Sequence, residues 1–314
     1  MNILITGAFG FVGSNLSSAL KSGFNCRLIA VDVNKPAKHF YDSFLNWQQF
    51  EGIHEINLNA IIHLAGKAHD TKNTADEKIY FEVNLGLTKK IFDQFLKSDA
   101  EKFILFSSVK AVADEVDDVQ LIEDVIPDPQ TPYGKSKLAA ENYILSQKLP
   151  AGKKVYIIRP CMIHGPGNKG NLNLLYKIVK KRIPWPLGSF QNLRSFTAID
   201  NLCFAINQIL IKEIEPGVYN MADDDAISTN RLIELINESN KKRYIIWSFN
   251  KKLVQGIAKA GDYLHLPLNS ERLKKLTESY VVSNNKLKNA LNINRFPVSA
   301  EEGLRKTIMS FNNL

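Results

Sequence analysis

The sequence of 314 residues contains little cysteine and no long apolar run, and each absence excludes a class of protein. Its three cysteines, Cys26, Cys161 and Cys203, are widely spaced, which excludes a disulfide framework and a cysteine-based metal site. The six histidines follow no ligand spacing, so no metal site is predicted. No apolar run is long enough to span a membrane and no signal peptide is expected, which favours a cytoplasmic location.

The charge balance is basic, but the basic residues do not follow the pattern of a nucleic-acid-binding surface. Forty Lys and Arg residues against 32 Asp and Glu give a formal net charge of +8. The basic clusters are short and lack the interleaved aromatic residues on which nucleic-acid bases stack. We therefore interpret most of them as solvated faces and expect no nucleic-acid partner.

A strand, a glycine-rich turn and a helix open the chain. Residues 2–6 predict a buried strand, and the glycines of the segment 7–13 precede a helix predicted over 14–22. Glycines let the backbone approach a pyrophosphate, and a helix N-terminus favours its negative charge. A second strand, 27–31, ends at Asp32, whose carboxylate can accept hydrogen bonds from ribose hydroxyls and repels a 2′-phosphate. The pattern predicts a dinucleotide site that favours NAD over NADP.

Strands and helices then alternate along the first half of the chain. Buried strands are predicted in the segments 60–66, 102–108 and 154–159, a helix over 76–97, and a further strand near 53–56. His63 is interpreted as a core histidine. This alternation predicts an α/β fold with a Rossmann-like, doubly wound parallel sheet.

The texture of the sequence changes near residue 165, where glycine and proline form a loop. We predict an NAD-binding domain over 1–165, to which elements near 195–222 return. A smaller, mixed α/β C-terminal substrate lobe is predicted over 166–314, with short strands near 245–248 and 280–282.

A tyrosine and a lysine one helical turn apart are the candidates for chemistry. Tyr133 and Lys137 lie in a segment where Thr131 suits the cap of a helix and Pro132 its first position. Because residues four apart share a helix face, the Lys137 ammonium is expected near the ring oxygen of Tyr133. A nearby cation lowers the pKa of a phenol, so that it can take a proton from a substrate hydroxyl.

The same spacing recurs at Tyr176 and Lys180, in an amphipathic helical segment. There the pattern predicts a half-buried tyrosine beside a solvated lysine, without a catalytic role. Tyr133 is preferred because a glycine-rich turn and a strand ending at Ser108 precede it.

Together these motifs resemble the extended short-chain dehydrogenase/reductases, specifically the NAD-dependent sugar-nucleotide epimerase/dehydratase family, over nearly the whole chain. The resemblance also rests on the segments 62–65, 83–84, 159–160, 165–167, 194–201 and 291–304. It implies NAD as the cofactor and a diphosphate-linked sugar, UDP-linked in the first instance, as the substrate. A homodimer is expected as well.

The resemblance implies a role for each candidate residue. Tyr133 is the expected general acid/base, Lys137 binds the nicotinamide ribose and tunes Tyr133, and Ser108 hydrogen-bonds the reacting sugar oxygen. The expected cofactor-binding residues are Gly7, Phe9, Gly10, Phe11, Val12, Gly13, Asp32, Leu64, Ala65, Gly66, Asn84, Ser107, Tyr133, Lys137 and Pro160. The expected substrate-binding residues are Lys67, Lys110, Asn171 and Arg194. Arg194 is expected to pair with the diphosphate.

The sequence directly after Ser108 differs from that of the family's dehydratases, which reduces the number of reactions to be expected. Dehydratases of the family carry Asp-Glu directly after the Ser/Thr position, where this chain has Val109 and Lys110. We therefore expect a C4 epimerase of a UDP-hexose or UDP-N-acetylhexosamine, from a surface-polysaccharide branch, acting through a transient 4-keto sugar. Three alternatives stay open: an NAD(P)H-dependent 4-keto-sugar reductase, an undecaprenyl-diphosphate-N-acetylhexosamine 4-epimerase, and an NAD-binding regulatory protein.

The basic amphipathic stretch 241–268 permits two interpretations. Either its apolar side chains dip weakly into a membrane surface while its lysines meet anionic headgroups, or the apolar side chains cover the core of the smaller lobe. The apolar residues in question are Trp247, Phe249, Leu253, Ile257 and Leu264, and the lysines are Lys251, Lys252 and Lys259.

Overall fold

Apolar, β-branched segments become the strands of this computed structural model, which describes residues 1–67, 76–116, 119–168, 171–181, 184–239, 246–264 and 269–311. The strands are β1 (Asn2–Thr6), β2 (Arg27–Val31), β3 (Ser43–Leu45), β4 (Ala60–His63), β5 (Lys102–Phe106), β6 (Lys154–Pro160), β7 (Met162–His164), β8 (Leu193–Arg194), β9 (Phe196–Ala198), β10 (Gly217–Met221) and β11 (Ile227–Ser228).

Helices connect these strands and build most of the second half of the chain. They are α1 (Phe11–Gly23), α2 (Glu77–Tyr80), α3 (Leu87–Lys97), α4 (Pro132–Leu145), α5 (Asn171–Lys180), α6 (Ile199–Ile211), α7 (Thr229–Ser239), α8 (Lys251–Leu264), α9 (Ser270–Thr277), α10 (Asn285–Leu291) and α11 (Ala300–Phe311). A π-helical turn, Phe81–Gly86, joins α2 to α3, so the helix predicted over 76–97 is one continuous element that begins at the Asp76 cap.

The central sheet is parallel throughout and has seven strands in the order β10-β6-β5-β4-β1-β2-β3. Strand β1 pairs with β2 on one side and with β4 on the other, so the sheet grows in opposite directions from this point. Thr6 and His63, at the carboxyl ends of β1 and β4, are in register. Open α/β sheets bind ligands at such a reversal. The predicted Rossmann-like, doubly wound sheet is confirmed.

Helices cover both faces of the sheet because successive strand residues point to opposite sides. Ile3 and Ile5 pack in one cluster with apolar residues of α1 and α6, whereas Leu4 packs in another with residues of α3. Strand β10 extends the sheet beside β6, although it comes from the second half of the chain.

A separate apolar cluster holds helices of the second half together. It contains Tyr176 of α5, Ile236 of α7 and Ile308 of α11. The short strands here are mixed in direction, since β8 pairs antiparallel with β11 and β7 pairs parallel with β9. The predicted division of the chain at residue 165 stays a prediction.

Three short strands were predicted incorrectly. Most of the segment near 53–56 lies in a 3₁₀ helix, Gln49–Glu55, and the side chain of Ile53 is fully buried from that helix. The strand at this edge of the sheet is β3 instead. The segments near 245–248 and 280–282 form only isolated bridges, such as that of Ile246 with Trp185, and residue 245 lies outside the described part.

Candidate active site

The glycine turn after β1 is shaped for close approach of a ligand to the backbone. Gly7 has a φ of +65°, and a Cβ there would lie 2.7 Å from the Ala65 nitrogen. A Cβ on Gly13 would overlap the Ala8 carbonyl oxygen. Gly10 caps α1, and no side chain among the described residues caps that N-terminus by a hydrogen bond. The turn therefore fits the phosphate cradle of a dinucleotide.

Aromatic residues that follow β2 in the chain pack against this glycine turn and stabilise it. The Tyr41 hydroxyl group lies 3.0 Å from both the Ala8 and the Gly13 carbonyl oxygens and donates to them. The Phe9 ring contacts the Tyr41 and Phe44 rings at centroid distances of 5.4 and 6.0 Å. Tyr41 was not predicted as part of the site, because nothing in the neighbouring sequence indicates that its side chain reaches back to the glycine turn.

The remaining members of the predicted turn lie where the sequence placed them. Phe11 and Val12 form the first turn of α1 and are partly buried against the sheet. Asp32 follows β2, and its Oδ2 accepts a hydrogen bond from the Phe9 nitrogen at 2.9 Å. Its Oδ1 accepts from the Val33 nitrogen at 2.7 Å. The carboxylate is thus fixed beside the glycine turn.

A chain of hydrogen bonds links the ends of β1 and β4 to the π-helical turn. Thr88 Oγ1 donates to the Asn84 carbonyl at 2.6 Å, so it accepts from His63 Nε2 at 3.0 Å. His63 Nδ1 then accepts from Thr6 Oγ1 at 2.7 Å. Burial, reinforced by the positive charge of Lys137, lowers the pKa of His63 to about 3, so the ring is neutral. The prediction of a core histidine is confirmed.

Asn84 fixes the start of the loop beyond β4. Its Oδ1 accepts from the Lys67 nitrogen at 2.8 Å, and its Nδ2 donates to Ser136 Oγ of helix α4 at 2.9 Å. A Cβ on Gly66 would lie 2.9 Å from Asn84 Oδ1 and 3.2 Å from Lys137 Nζ. π-helical turns are often functional, and this one holds Asn84 between the loop and the tyrosine helix. The rest of that loop, 68–75, lies outside the described residues.

Tyr133 and Ser108 meet where β5 ends and α4 begins. Their side chains are hydrogen-bonded to each other. Gly134 allows this approach, because a Cβ there would overlap the Lys110 carbonyl oxygen. Thr131 caps α4 by accepting from the Gly134 nitrogen at 3.2 Å, as predicted. The Tyr133 ring contacts the Tyr80 ring edge-on at 6.2 Å.

The expected lowered pKa of Tyr133 is wrong, and Lys137 is not among the causes of the shift that the structure gives. Burial raises the pKa of Tyr133 above its usual range, although the Ser108 hydrogen bond opposes the shift. The Lys137 ammonium donates to the Phe106 carbonyl oxygen at 2.9 Å. Burial lowers the pKa of Lys137 to about 8, and Glu141 limits that decrease. Spacing predicted a shared helix face correctly but did not account for the burial of both groups.

A buried ion pair that was not predicted from the sequence lies behind this site. Arg159 Nη2 donates to Glu141 Oε2 at 2.5 Å, and its Nε donates to Oε1 at 3.0 Å. Ser107 Oγ donates to the same carboxylate. Glu141 is fully buried and lies one turn beyond Lys137 on α4. The side chain of Ser107 is therefore directed into the protein, and its contribution to cofactor binding stays a prediction.

A basic cluster lies beyond the end of β5. The Lys110 ammonium is 4.0 Å from the centre of the Tyr280 ring and donates to the Asp114 carbonyl oxygen at 2.7 Å. Burial lowers the pKa of Lys110, which Asp114 and Glu278 partly offset. Arg194 is half-buried, with its Nη2 3.8 Å from Glu278 Oε1. Burial also lowers the pKa of Arg194. Charge–charge interactions couple Lys110 to Arg194.

The last predicted residues lie at element ends. Leu64 donates its backbone N–H to the Thr6 carbonyl at 3.1 Å, and the Ala65 nitrogen donates to Thr6 Oγ1 at 3.2 Å. Pro160 ends β6, and Asn171 begins α5. The side chain of Asn171 lies outside what the structure describes.

The sheet order, the glycine turn and the Ser108–Tyr133 pair define a short-chain dehydrogenase/reductase of the extended type. A model of the NAD dependent epimerase/dehydratase family matches residues 3–222. The chain belongs to this family, and the expected cofactor, NAD, is confirmed at the level of the family.

Two curated relatives and one solved structure show how the family is represented. The chain is 33% identical over 242 residues to a UDP-glucose 4-epimerase of Vibrio cholerae, covering 74% of each chain. It is 28% identical over 252 residues to the N-acetyl-alpha-D-glucosaminyl-diphospho-ditrans,octacis-undecaprenol 4-epimerase of Escherichia coli O157:H7, covering 77% of this chain and 73% of the relative. The UDP-glucose 4-epimerase of Thermotoga maritima, solved with UDP-glucose, has the same fold, with a TM-score of 0.76, 22% identity, and coverage of 100% and 99%.

Proposed function

We propose that this chain is an NAD-dependent C4 epimerase of a nucleotide-diphosphate sugar, either a UDP-hexose or a UDP-N-acetylhexosamine. The observation that carries the proposal is the hydrogen-bonded pair of Ser108 and Tyr133 at the carboxyl edge of the sheet. The Vibrio cholerae relative, a UDP-glucose 4-epimerase, supports the choice of reaction and of carrier.

The two side chains have complementary tasks in this proposal. The Ser108 hydroxyl orients the C4 oxygen of the sugar, and Tyr133 takes the hydroxyl proton from it and later returns it. The glycine turn, Asp32 and Lys137 would hold NAD, which when bound would supply the hydride acceptor for C4 and the hydride donor for its other face. One positioned acid/base group contributes about 10²–10⁴-fold to such a rate. The raised pKa of Tyr133 suits the return step, since the protonated phenol is the stable form.

Dehydratases of the family use an Asp-Glu pair to eliminate water from the sugar, and this chain has Val109 and Lys110 at those two positions. Val109 is buried in an apolar cluster, and the Lys110 ammonium donates to the Asp114 carbonyl oxygen. Neither residue supplies the carboxyl groups of the Asp-Glu pair, which supports return of the hydride to the 4-keto sugar over dehydration.

The cofactor and the diphosphate have separate candidate sites. The glycine turn would hold the pyrophosphate of NAD, Asp32 the adenosine ribose, and Lys137 the nicotinamide ribose. Arg194 would pair with the sugar diphosphate in place of Glu278, which faces it at 3.8 Å. Arginine binds phosphate oxygens well because its N–H groups form a planar fork.

A cytoplasmic location and a homodimer are parts of the same proposal. The three cysteines are free and buried, which suits a reducing compartment. The undecaprenyl-linked alternative draws support from the Escherichia coli relative, whose name specifies such a carrier.

Incubation of the purified protein with UDP-N-acetylglucosamine, UDP-N-acetylgalactosamine or UDP-glucose, followed by NMR, tests the reaction. The epimer should accumulate without added reductant. Denatured protein should release NAD, because an epimerase regenerates its cofactor in every cycle and need not exchange it. A protein that works only with stoichiometric NADPH, on a 4-keto sugar, would be the reductase instead.

A further inference from the structure

Helix α8 and the residues before it expose the apolar side chains for which the sequence left two interpretations open. The exposed fractions are 45% for Trp247, 41% for Phe249, 57% for Leu253, 50% for Ile257 and 67% for Leu264. The core of the smaller lobe receives Val254 and Ala258 from this helix instead. The interpretation of the exposed side chains as core residues is therefore wrong.

The exposed apolar residues of α8 form one stripe. Leu253, Ile257 and Leu264 are spaced i, i+4 and i+11, which places them on one side of a helix. The buried side is defined by Val254 and Ala258. The helix is fixed at its start, where Asn250 Oδ1 accepts from the Lys252 nitrogen at 2.9 Å.

An aromatic pair directly precedes the helix and is held by its backbone. The Trp247 nitrogen donates to the Trp185 carbonyl at 2.8 Å, and the Trp247 carbonyl accepts from the Gly188 nitrogen at 3.0 Å. The Trp247 and Phe249 rings contact each other edge-on at 5.6 Å. A fixed aromatic pair is suited to a boundary between apolar and polar surroundings, where indole and phenyl rings are enriched.

Lysines accompany the apolar stripe. Lys251, Lys252 and Lys259 are exposed, and the last two line a groove of about 530 Å³ between α8 and α9. The acid of the same helix, Asp262, accepts hydrogen bonds from the Ser270 nitrogen and hydroxyl at 2.9 and 2.5 Å. At 3.6 residues per turn, Lys252 and Lys259 lie about 100° or more around the helix from Leu253 and Ile257, so they border the apolar stripe. Their long side chains can still bring the ammonium groups to the level of headgroups while the stripe is buried.

We propose that this α8 face, meaning Trp247, Phe249, Leu253, Ile257 and Leu264 together with Lys251, Lys252 and Lys259, docks on a membrane containing anionic phospholipids. The apolar side chains enter the boundary between headgroups and acyl chains, and the ammonium groups meet phosphates. In the part of the chain that the structure describes, no helix has the length and hydropathy to cross a bilayer. The contact is thus peripheral and reversible, and it needs no substrate.

Flotation with lipid vesicles, in the absence of sugar substrate, tests the proposal. The full-length protein should float with phosphatidylglycerol-containing vesicles at low salt and much less with pure phosphatidylcholine. The double variant Leu253→Asp/Ile257→Asp should bind more than about tenfold more weakly, because it removes buried apolar area and adds negative charge. Lys252→Gln and Lys259→Gln should each weaken binding about fivefold.

Met309→Asp is the matched control, since Met309 lies on a different helix and is 61% exposed. It should float like the native protein. Native protein left at the bottom with anionic vesicles would overturn the proposal, as would full binding by Leu253→Asp/Ile257→Asp. Analytical sedimentation tests the competing explanation. If the native protein is a dimer and Leu253→Asp/Ile257→Asp is a monomer, a second copy of the chain covers the α8 face instead of a membrane. Epimerase activity and circular dichroism, which the variants should retain, show that they are folded.

Discussion

Two helices of this protein carry the same Tyr-x-x-x-Lys spacing, and their surroundings differ completely. Tyr133 of α4 hydrogen-bonds Ser108 at the carboxyl edge of the sheet, just beyond the end of β5. Tyr176 of α5 packs in the core of the smaller lobe, with its ring 5.4 Å from that of Phe311. The spacing alone thus does not define a site.

The lysines differ in the same way. Lys137 is buried beside Glu141 and donates to the Phe106 carbonyl oxygen, whereas Lys180 is exposed with its ammonium 5.6 Å from the Tyr176 ring. Burying an ammonium is costly, and a protein retains such a group only where other groups compensate for it or function requires it. The contrast between the two copies can be tested by parallel substitutions.

The largest expected effect is that of Tyr133→Phe on turnover. Removing the hydroxyl removes the group that exchanges the proton, so kcat should fall by about 10³-fold. The ring and its contact with Tyr80 remain, so the melting temperature should change little. Steady-state kinetics and thermal unfolding of the same preparation check both statements. Nearly native turnover in Tyr133→Phe would mean that another group exchanges the proton with the substrate.

The glycine turn and Asp32 could be predicted because they fall at set places in a strand-turn-helix-strand pattern, whereas the role of Ser108 beside Tyr133 was implied by the resemblance to the family. The pKa of Tyr133 could not be predicted, because it depends on burial by residues far away in sequence. Tyr41 and the Arg159–Glu141 pair were missed because no motif in their own segments indicates the contacts that they make in the fold. The exposure of Leu253 and Ile257 could not be predicted either. An amphipathic pattern does not show whether its apolar side chains pack into the protein core or face a membrane.

The second largest effect is expected from Glu141→Gln, which leaves the Arg159 guanidinium buried without its counter-charge. Breaking a buried pair by removing one partner costs about 3–5 kcal/mol in unfolding free energy. The control is Glu234→Gln, which removes a carboxylate 3.0 Å from Arg231 in a pair that is 33% and 51% exposed. That change should stay within about 1 kcal/mol. Denaturant unfolding compares the two, and equal losses would mean that burial of the Arg159–Glu141 pair has no energetic consequence.

The third prediction is that Lys137→Met stabilises the fold while it impairs catalysis. Lowering the Lys137 pKa from 10.5 to about 8 corresponds to about 3 kcal/mol of destabilisation at neutral pH. Loss of the hydrogen bond to the Phe106 carbonyl costs the variant about 1 kcal/mol. The unfolding free energy of Lys137→Met should therefore exceed that of the native protein by about 2 kcal/mol. Lys180→Met, on the exposed copy, should change the unfolding free energy by less than about 0.5 kcal/mol.

The pH dependence of that gain identifies its origin. Between the folded pKa of about 8 and the unfolded value of 10.5, the unfolded chain binds the extra proton, so native stability rises with pH. The advantage of Lys137→Met should therefore be complete below pH 8 and shrink as the pH rises through this window. An advantage that stays constant to pH 9.5 would attribute the gain to packing and not to the buried charge.

The smallest effect is expected from Tyr176→Phe. The substitution keeps the ring that contacts Phe311 and removes only the hydroxyl, so stability should fall by about 1 kcal/mol or less. Turnover should be unchanged, because this helix packs in the core of the smaller lobe and not against the Ser108–Tyr133 pair. Kinetics of Tyr176→Phe beside Tyr133→Phe gives the comparison directly. A large loss of kcat in Tyr176→Phe, without unfolding, would mean that the catalytic copy of the motif lies in α5 and that the assignment of α4 is wrong.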